Sequence, residues 1–296
     1  MKSALIRLHT AVFLWGFTGI LGRLISLNEG WLVWWRMLIT AAVLWIYFFF
    51  TKQIQKVSAK NFLKIASIGT MLAIHWLLFY GSIKYANVSI ALTCLATTGL
   101  LSAIIEPLFF HRRINSSEIL LGTFALAGIG IIYFSNLQFS VGIYIGLLSS
   151  LATVIVSVLN KKIVSGYTAQ VITLYQLTGG FLGLTFLMPL YNYLLHSNVQ
   201  YPLPLDWLWL IILACCCTVL TFILYIGALK KVSAFTVNLT LTLEPVYGII
   251  LAFVVFRENK YLSQYFYMGF ALILIAVMLQ MRRIVKQQRS NYVPFE

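Results

Sequence analysis

The chain has 296 residues, of which 61% are hydrophobic and 9% charged, with a formal net charge of +14. A soluble domain carries about 25% charged residues, so a water-facing core cannot hide this much apolar surface and the solvent it asks for is lipid. The positive charge does not mark a nucleic-acid partner, because the basic residues sit at the ends of apolar runs rather than in a stripe across a fold.

In chain order, the start MKSALIRLHTAVFLWG is basic and then apolar, as in a signal peptide. No small-residue cleavage site closes the run, which continues for the roughly 20 residues a bilayer needs, so it reads as an uncleaved first span. Apolar length places the first five spans at 8–27, 31–51, 62–83, 88–110 and 118–135. A further five follow at 140–160, 168–195, 206–229, 234–256 and 261–281, the long seventh tilting or ending early at Pro189. Cys94, Cys215, Cys216 and Cys217 all lie inside these spans. Three consecutive cysteines point about 100° apart on a helix, which is not a metal-ligand spacing, and they read as packing residues with no disulfide framework.

The charges provide a check that was not used to draw the spans. With the N-terminus in the cytoplasm, 16 of the 21 basic residues fall inside: Lys2, Arg7, Lys52, Lys56, Lys60, Lys64, Arg112, Arg113, Lys161, Lys162, Lys230, Lys231, Arg282, Arg283, Lys286 and Arg289. Only Lys84, Arg257 and Lys260 fall outside, and Arg23 and Arg36 lie within spans. That asymmetry predicts a multi-pass protein with both termini cytoplasmic.

The second half echoes the first. The segment from Tyr80 can be laid on that from Ile226, so that Gly81 meets Gly227, Lys84 meets Lys230, Gly99 meets Pro245 and Phe110 meets Phe256. Five spans per half make the halves enter the membrane from opposite sides. The fold predicted is all-α and integral to the membrane, ten transmembrane helices in a 5+5 inverted repeat, with halves 1–136 and 137–296.

Ala228–Lys230, Ser233–Ala234, Leu243–Pro245 and Arg257–Glu258, with Trp15–Gly16 and Arg36, resemble the pattern of the EamA branch of the drug/metabolite transporter superfamily. Gly99 departs from it, and the Glu106–Pro107 pair lies outside the repeat. The resemblance implies a carrier for small organic solutes, amino acids or related metabolites, working in the export direction in the plasma (inner) membrane of a bacterium. It names no solute.

An inverted repeat places its site near the midplane between halves. Intramembrane ionisable residues are the first candidates, because each costs a few kcal/mol unless paired or hydrated. Glu244 leads: it is read as mid-span, with Thr236 and Thr240 on the same helix face, Tyr247 close in angle and Pro245 freeing a carbonyl. It can hold a substrate amine or a proton, or serve helix packing. Glu106, on a face with Thr98 and Ser102, is a coupling candidate or an interfacial carboxylate, solvated or paired with Arg112. His75, beside Trp76 and below Tyr80, can carry a proton or bond a helix carbonyl or threonine as a buried neutral ring. Arg23 and Arg36 are expected to snorkel and pair with Glu29, Arg36 stacking on the preceding tryptophans, the alternative being a substrate carboxylate. Thr97, Trp15, Gln176, Tyr225 and Asn238 complete the candidate lining, with Tyr175 nearby. Trp31, Trp207 and Trp209 read as interfacial anchors, and Gly16, Gly19, Gly22, Gly142, Gly146, Gly179, Gly180 and Gly183 as close-packing points.

A secondary transporter with no cofactor or metal and no P-loop is the reading favoured, with proton coupling open, lipid around it, and a monomer or homodimer as its assembly. An intramembrane enzyme lacks a Gly-x-Ser-x-Gly, His-Glu-x-x-His or paired-aspartate motif. A non-transporting scaffold remains the other alternative.

Overall fold

The structure is a computed structural model and describes residues 2–52, 54–111, 116–163, 166–229, 240 and 243–290. Within them every regular element is helical. The helices are α1 (Lys2–Leu24), α2 (Glu29–Phe50), α3 (Ala59–Tyr85), α4 (Val88–Ala96), α5 (Thr98–Phe110) and α6 (Ser116–Ser135). They continue as α7 (Ser140–Ile163), α8 (Ala169–Leu194), α9 (Pro204–Ala214), a π-helical turn Cys215–Leu220, α10 (Thr221–Leu229), α11 (Glu244–Phe256) and α12 (Gln264–Ser290). Short polar residues set several of the starts. Asn28, Ser58, Asn87 and Thr168 each accept a backbone N–H from the first turn of α2, α3, α4 and α8.

Among the described residues, six helices are long and apolar enough to cross a bilayer, and seven if the stretches Val88–Ser102 and Ile104–Phe110, bent by 41° from each other, are one span. Three more apolar helices, Leu120–Ser135, Glu244–Phe256 and Gln264–Leu279, are shorter than a full span. Two expectations change. The fourth apolar run is two helices rather than one, broken at Thr97, whose hydroxyl and that of Thr98 turn back onto the Cys94 and Leu95 carbonyls and compete with the helical ladder. Helix α8 runs through Pro189 to Leu194 instead of ending there. Glu244 is the first residue of α11 and Pro245 occupies its first turn, where a missing N–H costs nothing; residues 230–239, where the ninth run begins, lie outside the described residues.

Bulky apolar side chains cover the outside: Phe186 is 85% exposed and Phe50 77%, as a lipid-facing surface requires. Inside, α3 packs on both α7 and α8, α1 on α10 and α11, and α6 on α12. Glycines set the closest crossings. A Cβ on Gly69 would come within 1.8 Å of the Gln176 carbonyl oxygen, and one on Gly179 within 2.2 Å of the Ala66 Cα. Gly128 and Gly269 face each other's carbonyls in the same way between α6 and α12.

The internal echo has a structural counterpart. Helices α5 and α11 are each 13 residues long and coincide at the register read from the sequence, Thr98 on Glu244. Thr97 (φ −74°, ψ −10°) and Leu243 (φ −82°, ψ −15°) precede them in the same conformation. His111 and Arg257 follow them, both left-handed, with φ of 51° and 54°. Exchanging halves also turns the α1–α11 packing into the α7–α5 packing, and α3–α7 into α10–α1.

Candidate functional site

Arg36, only 3% exposed, is the buried charge around which polar groups from several helices gather. It lies seven residues into α2, about 10 Å below that helix's start at 1.5 Å per residue. Its Nη1 donates to the Tyr80 hydroxyl of α3 at 2.6 Å. Nε and Nη2 donate to Thr218 Oγ1 in the π turn, at 3.3 and 2.9 Å. The guanidinium carbon stands 3.8 Å from the centre of the Trp76 ring. Thr218 in turn donates to the Leu213 carbonyl five residues back, the spacing of a π turn, so the unusual helical turn is what aims this acceptor at Arg36. Three hydrogen bonds to a cation and one desolvated cation–π contact, each about 2 kcal/mol, offset an insertion cost of about 3 kcal/mol.

A guanidinium has five N–H groups. Those bonds use three, and the remaining two have no partner among the described residues. Glu244, partly buried at the start of α11, is near enough for its charge and that of Arg36 to act on each other, and Tyr80 feels both. No hydrogen bond or ion pair ties the Glu244 carboxylate to another described residue. The arrangement is a buried guanidinium with an acidic side chain within its electrostatic reach, in an apolar bundle.

The expected pairing with Glu29 is not found. Glu29 accepts from the Tyr191 hydroxyl at 3.1 Å, Arg23 pairs with Glu258, and Arg36 stacks on Trp76 rather than on Trp34 or Trp35. The physical reason is helical phase. Trp34 and Trp35 turn away towards Phe181 and Trp207, while α3 presents Trp76 and Tyr80 four residues apart on one face.

His75 joins α3 to α7. Its Nδ1 lies 3.0 Å from the Ser149 carbonyl and 2.7 Å from the Thr153 hydroxyl, as a helix-bridging ring does. Glu106 is paired with Lys161 of α7 at 2.9 Å; Arg112, its expected partner, lies outside the described residues. Trp15 packs on Tyr225, ring centres 5.4 Å apart. Gln176 is buried at the α3–α8 crossing, and Thr240 is buried just before α11. Thr97 and Thr98 bond back into their own chain. Asn238 and Thr236 lie outside the described residues. Trp31 is buried against Trp34 instead of anchoring at the interface. A cavity of about 510 Å³, lined by Gln55–Ser58, Asn61 and Gly166–Thr168 among others, opens at the loop end and includes none of the Arg36 cluster.

Sequence reasoning missed Thr218 and Trp76 as partners of Arg36. A threonine following three small cysteines carries no polar signal of its own, and only the π turn makes it an acceptor.

At the end of the bundle that holds residues 25–28, two carboxylates are nearly inaccessible. Asp206 accepts from the Ser26 N–H (2.8 Å), the Ser26 hydroxyl and the Leu203 N–H (3.1 Å). Glu258 accepts from the Val88 and Ser89 N–H groups (3.1 and 2.8 Å), from the Ser89 hydroxyl and from Arg23.

No curated protein matches this sequence. One solved crystal structure of a protein superposes with a TM-score of 0.60 at 16% identity, covering 94% of this chain and 97% of its own, which shows a shared fold. The model of the EamA-like transporter family matches twice, over residues 2–134 and 140–282. With nearly the whole chain covered by two copies of that family's repeat, this multi-pass, all-helical membrane protein belongs to the EamA-like transporter family.

Proposed function

We propose that the chain is a secondary transporter that moves small organic solutes, amino acids or related metabolites, by alternating access between two five-span halves, 1–136 and 137–296. The observation that carries this reading is Arg36, a buried cation with two N–H groups that have no partner among the described residues, and with Glu244 nearby. A zwitterion matches that pair: its carboxylate completes the Arg36 fork and its ammonium meets Glu244. Supporting the inverted repeat are the matched helices α5 and α11 and the exchange of packing partners between halves. The alternation of basic loops supports cytoplasmic termini in a bacterial inner membrane, and the export direction follows from the family resemblance.

Of the coupling candidates, Glu244 is favoured. His75 is already held by Ser149 and Thr153, and Glu106 by Lys161. The test is counterflow of a metabolite panel in proteoliposomes, with and without a pH gradient. Wild type should exchange at least one zwitterionic solute, and Arg36→Gln and Glu244→Gln should each abolish that exchange while the protein stays folded. Unchanged exchange in both variants would remove the pair from the mechanism.

A further inference from the structure

The Glu258 carboxylate closes the N-terminus of a helix in the other half of the chain. Val88 and Ser89, the first two residues of α4, give it their N–H groups, and Asn87 takes the Ile90 N–H at 2.8 Å, so the N–H groups of the first three helical residues all have acceptors. Arg23, at the last turn of α1, is its counter-ion. One side chain that is 3% exposed therefore ties the α11–α12 connection to α1 and to α4. Beneath it, Leu92 of α4 is sealed between Gly19 of α1 and Gly248 of α11.

The register that lays α5 on α11 puts Arg112 of the first half where the second half has Glu258. A guanidinium has no lone pair for a helix N–H, and its charge opposes the positive end of a helix. The sequence thus supplies this carboxylate in one repeat only.

We infer that Glu258 is the latch of one gate: it holds the end of the bundle at residues 25–28 shut, and its release lets α4 part from α1 and α11 so that the Arg36 site opens on that side. This inference rests on the alternating-access reading, and it makes Glu258 a positioning residue that never touches solute. Asp206 assists at the same end by tying the α1–α2 connection to the start of α9.

The test needs no solute. In a chain whose four native cysteines are replaced, Leu92→Cys reports water entry below the latch. A membrane-impermeant sulfonated maleimide is added to sealed vesicles on the side that residues 25–28 face. With Glu258 in place labelling should be slow; Glu258→Ala should speed it at least about tenfold, as loss of a buried, charge-assisted bond set implies, and Glu258→Gln by less. If Glu258→Ala does not fold, Glu258→Gln and Arg23→Gln carry the test. A control, Ile65→Cys, buried where α3 meets α7 and α8, should stay unreactive in every variant. Unaltered Leu92→Cys labelling in folded variants, or equal acceleration at Ile65→Cys, would overturn the latch. Counterflow fails or succeeds separately: labelling that responds without any solute exchange keeps the latch and sinks the transport reading, and the converse sinks the latch alone.

Discussion

The two ends of the bundle are held together by different physics. At the end with residues 25–28, Asp206 and Glu258 are each 3% exposed and bonded to backbone N–H groups across the halves. Towards the other end, the ion pair among the described residues is Lys161–Glu106, with side chains 50% and 35% exposed. The cohesion there comes from apolar packing of Ile65, Ile68, Val156, Ile163, Val171 and Tyr175, next to the glycine crossing of α3 and α8. A buried carboxylate on helix N–H groups is strong while dry, and water can replace its partners once it opens. A backbone-to-backbone glycine crossing has no such substitute. Under the proposed alternating access, the polar end is the one that parts and the α3–α8 crossing is the joint.

Four substitutions break or sharpen that contrast, all read as thermal unfolding of the purified chain in one detergent. The largest effect is expected for Gly69→Ala, because the clash is with backbone and cannot relax by a rotamer change; a loss of about 3 kcal/mol or failure to fold should result. Asp206→Ala strands the Ser26 and Leu203 N–H groups and should cost about 2–3 kcal/mol. Ser89→Ala removes one hydroxyl bond to Glu258 while leaving the backbone bonds, for about 1 kcal/mol. Glu106→Gln, at the exposed pair, should change stability by less than about 1 kcal/mol, and high salt should not alter the ranking of the other three. If Glu106→Gln proved as costly as Asp206→Ala, the contrast between the ends would fail.

Much of the frame was legible in the sequence because it rests on long, redundant signals. The apolar runs and the basic loops located most helices, and the register from Tyr80 to Ile226 anticipated the matching of α5 with α11. Arg36 and Glu244 stood out because a charge within an apolar run is conspicuous by itself. Partner choice was not legible. Arg23 finds Glu258 some 235 residues away, and Arg36 finds Thr218 at a distance of 182, so the nearby Glu29 was a false lead. Pro245 reads as freeing a carbonyl, and the first half breaks at the equivalent place with Gly99 there and no proline. The break belongs to the repeat: Thr97 and Leu243 make the same turn with a 3.0 Å bond to the residue three back. Proline is one way to accommodate it.

The most direct test of the whole account is the sidedness of one native thiol. Cys217 is buried beside Thr218, within the electrostatic reach of Arg36. With Cys217 as the only cysteine, an impermeant maleimide is applied to each side of sealed vesicles in turn. The account predicts reaction from the side opposite residues 25–28 with Glu258 intact, and reaction from the 25–28 side once Glu258→Ala releases the latch. A thiol that stays unreactive from both sides, in both chains, while the protein remains folded, would contradict an alternately opened site at Arg36.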